Sequence, residues 1–101
     1  MYQFTTPTIT VSIPDTVPVD TIDKLVVTIQ QNSVKLEKTQ DNVVLDTSTN
    51  SVLIHLTQEE TGAFPTGSVS VQLHILVGQT AYATNIMRAN IYPNIHGEVI
   101  V

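Results

Sequence analysis

The sequence predicts an all-β fold: an antiparallel two-sheet sandwich of about seven strands, with one short helical turn near residues 57–63. Three observations carry this. Val, Ile and Thr dominate the apolar and polar sets, while Trp and Cys are absent from the 101 residues. These β-branched side chains are stiff at the β-carbon and suit a pleated, half-buried surface. Apolar and polar residues alternate with a period of two in run after run, which marks strands with one wet face. Clusters of Pro, Asn, Asp and Gly separate the runs at the short spacing of a sandwich.

In order, Ile9, Val11 and Ile13 alternate with Thr8, Thr10 and Ser12, and Pro14, Asp15 and Pro18 open a loop through Asp20. Leu25, Val27 and Ile29 form the next inward row. Gln31-Asn32-Ser33 reads as a tight hairpin turn, because Asn tolerates positive φ. Val34 and Leu36 continue against Lys35 and Glu37. After a turn at Gln40-Asp41-Asn42 come the short run Val43-Val44-Leu45, the polar loop Asp46–Asn50, and the inward row Val52, Ile54 and Leu56.

Thr57-Gln58-Glu59-Glu60 fits a capping box, in which the Thr hydroxyl accepts from the Glu60 amide and the Glu60 carboxylate reaches back. Gly62 and Pro65 then stop the helix, Ala63 or Phe64 plugs the end of the sandwich, and Gly67 turns the chain into the next strand. Read as an acid/base pair, Glu59 and Glu60 would project about 100° apart and could hardly share a substrate. The structural reading, with Thr57 and Glu60 as the cap, is preferred.

Val69, Val71, Leu73 and Ile75 alternate with Ser68, Ser70, Gln72 and His74 in the clearest strand of the chain. Val77-Gly78-Gln79-Thr80 is a hairpin connection. The following run, Tyr82 to Ile91, changes phase between Ala83 and Ile86, which a bulge or a crossing between sheets would reconcile. Residues 95–101 are a last edge strand or a tail. The expected core is Val27, Ile29, Ile54, Leu56, Phe64, Val71, Leu73, Ile75 and Ile86. Residues 1–101 make a single domain, without internal repeat or low-complexity tract.

The stretch LTQEETGAFPTGSVSVQLHIL, residues 56–76, with AYATNI at 81–86, resembles a group of small proteins encoded in phages and prophages of Firmicutes. The layout of the whole chain is similar to the immunoglobulin-like N-terminal domain of siphovirus upper-baseplate proteins, the BppU family. The resemblance implies an immunoglobulin-like sandwich in a phage particle or its assembly, and no catalytic residue.

Composition narrows the remaining classes. Net charge is −5, with Lys24, Lys35, Lys38 and Arg88 as scattered cations, so nucleic-acid or anionic-membrane binding is not expected. No run of about 18 apolar residues is present to span a bilayer. The first seven residues lack a secretory pattern, so synthesis and assembly in a host cytoplasm are expected.

His55, His74 and His96 are the only imidazoles, and His55 and His74 fall on the outward phase of strands that could pair. No third ligand is spaced to complete a metal site with them. Asp15, Asp20 and Asp23 in one loop, and Asp41 and Asp46 in others, lack the spacing of a calcium loop. Neither a nucleophile elbow nor a phosphate loop occurs. No metal, cofactor or enzymatic activity is therefore expected.

The outward strips Thr8, Thr10, Ser12 and Ser68, Ser70, Gln72 are short, polar and uncharged, and are the candidate interface. The function expected is a non-enzymatic virion component, in tail, baseplate or head, packing against other virion proteins or itself as a homo-oligomer. The alternative is an intracellular phage factor that binds a host protein. A carbohydrate-binding sandwich would need gathered aromatics, and the spacing of Tyr2, Tyr82 and Tyr92 gathers none.

Overall fold

A computed structural model describes all residues, 1–101. Its strands are β1 (Thr8–Ser12), β2 (Lys24–Gln31), β3 (Val34–Thr39), β4 (Val44–Asp46), β5 (Ser51–His55), β6 (Gly67–Val77), β7 (Thr80–Ala83) and β8 (Met87–Ile91), and its one α-helix is α1 (Gln58–Gly62). One sheet runs β1-β5-β4 and the other β3-β2-β6-β7, with β8 also on β6, all antiparallel. The chain is an all-β sandwich, as expected.

β7 and β8 occupy the same edge of β6, β7 opposite His74–Val77 and β8 opposite Gly67–Val71. They are one strand position, broken at Thr84-Asn85-Ile86, so the sandwich has seven positions. Their order matches the immunoglobulin sheets B-E-D and C′-C-F-G, with the first strand, A, missing beside β1.

The break is a bulge. His74 faces Ala83 and Val71 faces Met87, so three residues on one strand stand against two on the other. Thr84 bridges the gap: its N–H donates to Leu73 O and its Oγ1 accepts from Leu73 N–H, both at 3.0 Å. Gln72 Nε2 donates to the Thr84 carbonyl at 2.9 Å. The extra residue resets the phase, which corrects one core expectation. Ile86 is 56% exposed, and the inward positions pass to Met87, Ala89 and Ile91. The other eight expected core residues are all buried. Val17 and Val19, read as loop, join them because a 3-10 turn at Val19–Thr21 folds the loop inward.

The two hairpins follow their turn residues. Asn32 and Gly78 take φ 52° and 59°, and each hairpin closes over a two-residue loop. Residues 95–101 form no strand and are a tail, held where Gln58 Oε1 accepts from Ile100 N–H at 2.8 Å and Gln58 Nε2 donates to Ile100 O at 3.1 Å.

At the β5–β6 corner the capping box is formed: Thr57 Oγ1 accepts from Glu60 N–H at 3.2 Å and Glu60 Oε1 from Thr57 N–H at 2.8 Å. Phe64, 2% exposed, closes the end of the core, and Ala63 stays outside. Gly62 is the last helical residue, and a Cβ there would run into the Phe4 ring. Thr61 is fully buried, with its hydroxyl donating to Thr5 O at 2.9 Å and accepting from Thr5 N–H at 3.0 Å. This pins the segment before β1 to the helix.

Glu60 also meets Lys38 Nζ of β3 at 3.0 Å. Burial alone would raise its pKa, but the Thr57 amide and the Lys38 ammonium outweigh burial and hold the carboxyl below its ordinary value of 4.5. A lowered folded-state pKa stabilises the fold above the unfolded value, and that contribution is lost as pH falls through the folded value.

Two outcomes follow from this packing. Leu73→Ala, at 0% exposure, lowers unfolding free energy by about 2–5 kcal/mol in urea titration, and an unchanged midpoint would refute its core position. Melting temperature holds at neutral pH and drops once pH falls below 4.5. Lys38→Ala shrinks that acid-side drop, because Glu60 then starts from a less depressed pKa; an identical pH profile would remove the ion pair from the account.

Candidate functional site

The five-residue β1 is one of the two edges of the smaller sheet, opposite β4. Pro7 O accepts from Leu56 N–H and Ile13 N–H donates to Asn50 O, so β1 bonds to β5 through its odd-numbered residues. The N–H and C=O groups of Thr8, Thr10 and Ser12 consequently point away from the sheet, without a strand partner.

Beyond that edge lies a groove of about 450 Å³ between the sheets. Val11, Ile13 and Val17 line one side, and Ile75, Tyr82 and Met87 the other. None of its twelve lining residues is charged. It exists because β7 and the start of β8 extend the larger sheet one strand position past β1, leaving Tyr82 and Met87 along the groove. Ser12, Thr16 and Thr84 are among its lining residues, but no imidazole or carboxylate lines it to activate a hydroxyl.

Asn50 builds the near wall. Its backbone takes φ 51°, a left-handed conformation that Asn tolerates. From there Oδ1 accepts from Val19 N–H at 2.9 Å and Nδ2 donates to Ile13 O at 2.8 Å, with Pro14 O and Val17 O at 3.2 and 3.3 Å. One side chain thus ties down the whole loop after β1. In the sequence Asn50 was one polar residue among five in a loop; the positive-φ habit of Asn before a strand was the only signal it offered.

The edges differ in protection. β3 carries Lys35, Glu37 and Lys38, and β4 has only three residues ending in Asp46. Ser48, through its hydroxyl first, holds the Asp46 carboxyl below the ordinary range, so that edge stays anionic. At the far end of β8, residues 1–3 cover the edge: the N-terminal amine donates to Asn90 O, Tyr92 N–H to Met1 O and Gln3 N–H to Tyr92 O. β1 and the four-residue β7 have neither charge nor cover, and β1 is the longer of the two.

The two candidate strips do not form one surface. Thr8, Thr10 and Ser12 lie on the outer face of the small sheet, and Ser68, Ser70 and Gln72 on that of the large one. Ser70 Oγ accepts from Arg88 Nη1 at 3.0 Å and Gln72 is bound to Thr84, so those two are engaged within the molecule.

His55 and His74 sit in different sheets, which corrects the expectation that their strands could pair. His55 Nδ1 lies 2.7 Å from Thr8 Oγ1. Asp23 accepts from Gly78 N–H, and no three His, Asp or Glu side chains converge on a metal position. Tyr2 and Tyr92, far apart in the chain, meet with centroids 5.4 Å apart, while Tyr82 lies in the groove. No helix is long and apolar enough to cross a membrane.

The fold and site define an immunoglobulin-like sandwich with one open strand position. No family model, curated protein or solved structure matches the chain.

Asn50→Ala is expected to lower stability by about 1–3 kcal/mol, since it strands the Val19 amide and its neighbours. Asn50→Gly, which relieves the positive φ, recovers only the backbone share. Chemical denaturation of both variants checks this; equal stability of all three proteins would show that the loop holds itself.

Proposed function

We propose that the protein is a non-enzymatic structural component of a tailed-phage particle, acting through protein–protein packing. The observation that carries the packing role is the contrast between edges. β3 is guarded by charge, β4 is short and acidic, β8 is partly covered, β7 is neutral but only four residues long, and the five-residue β1 is left neutral over an apolar groove. Unguarded edges invite strand pairing, and proteins that must stay monomeric block them. The setting in a phage particle rests on the resemblance of residues 56–86 to phage and prophage proteins.

Quantitative mass spectrometry of purified particles from a phage carrying this gene tests the proposal. A fixed copy number per particle, set by particle symmetry, is the expected result. Absence from particles with abundance in infected cells would overturn it in favour of the host-directed factor.

A further inference from the structure

We infer that the open strand position beside β1 takes one extended strand from a second copy of this chain, namely residues 95–101. This deepens the assembly reading and rests on it.

The shape of the position selects the kind of occupant. The larger sheet already reaches beneath the place next to β1. Two whole sandwiches joined edge to edge at β1 would force two such extensions into one space. A single strand fits: it pairs with the outward groups of Thr8, Thr10 and Ser12 and lays alternate side chains on Ile75, Tyr82 and Met87.

The chain carries such a strand. Residues 95–101 read Ile-His-Gly-Glu-Val-Ile-Val, so Ile95, Gly97, Val99 and Val101 share one face when extended. On that face Ile95 and Val101 are 104% and 116% exposed and Val99 is half-buried, while Ile100, on the other face with Glu98, is 72% exposed. Gly97, at φ 70° in the present turn, can straighten without a side-chain penalty. Glu98 is the only formally charged side chain in the segment and falls on the opposite face. Extended, seven residues span about 23 Å, enough for the full length of β1.

The geometry also favours exchange between copies. Gln58 holds the tail at the α1 end, where β1 begins, whereas the groove opens at the other end, around Val11–Val17. Insertion into a neighbour is head-to-tail, a heterologous contact that propagates into rings or filaments.

The chain has no cysteine, so introduced thiols report without background. Full-length Ser12→Cys and Ile100→Cys proteins, both altered at exposed positions, are mixed under mild oxidation, with Thr47→Cys as a control for random collision. A mixed disulfide dimer joining position 12 of one copy to position 100 of the other is expected. It should be lost when Val99→Lys is added to the tail or Met87→Glu to the groove. Mixed dimer no more abundant than with the Thr47→Cys control would overturn the inference. So would a dominant self-dimer of the Ser12→Cys protein, which would indicate edge-to-edge pairing of β1. The two proposals fail separately: a fixed particle copy number without this crosslink removes only the strand exchange, and the crosslink without particle incorporation removes only the virion role.

Discussion

The length of β6 sets the dimensions of the molecule. Its eleven residues place Val69, Val71, Leu73 and Ile75 in one fully buried row. A strand that long needs cover along its inner face and a partner along both edges. β2 supplies one edge with eight residues, but the other is filled by two short strands in series. The opposing sheet offers strands of five, five and three residues. The small sheet therefore cannot cover the large one, and the uncovered part is the groove. Phe64 at one end and the loop held by Asn50 at the other close the core where strands do not.

Much of this was legible in the sequence because it is local. Alternation identified the inward rows, since side-chain direction in a strand depends only on the parity of position. The capping box was legible for the same reason: Thr57 and Glu60 satisfy each other's backbone within one turn. The run from Tyr82 to Ile91 was legible as a conflict of phase, and the structure resolves it by a bulge. Which residue the bulge would expel was not legible. Ile86 is as apolar as Ile91, and only the register against β6 decides between them.

What stayed hidden depends on residues far apart in the chain. Thr61 is a buried hydroxyl because Thr5 sits across from it, and Asn50 matters because the loop after β1 returns to it. Gly62 reads as a helix stop, yet its missing Cβ also makes room for the Phe4 ring. The candidate interface was half legible. Thr8, Thr10 and Ser12 were visible as an uncharged strip, but their standing as a free edge required the strand order. Ser68, Ser70 and Gln72 look equivalent in sequence and lie instead on an interior strand.

The balance of forces at that edge sets how strongly copies could hold one another. Ordering an extended residue costs about 1–2 kcal/mol of backbone entropy, while burying one Val or Ile side chain contributes about 1.5–3 kcal/mol. In a strand only alternate residues bury their side chains, so these two terms nearly cancel over each two-residue repeat. The hydrogen bonds to Thr8, Thr10 and Ser12 then decide the sign, at about 0.5–1.5 kcal/mol each. The tail must also give up the two bonds that Gln58 makes to Ile100. A single contact of this kind is weak, which is what the proposed assembly role requires of copies that stay apart until they meet in the particle. In the array that the proposed strand exchange would build, each copy would both give and receive a strand, and the local concentration of partners would make the same contact hold. Under that proposal the missing charge on β1 has a purpose, because a fixed Lys or Glu there would add a desolvation cost to every contact in the array.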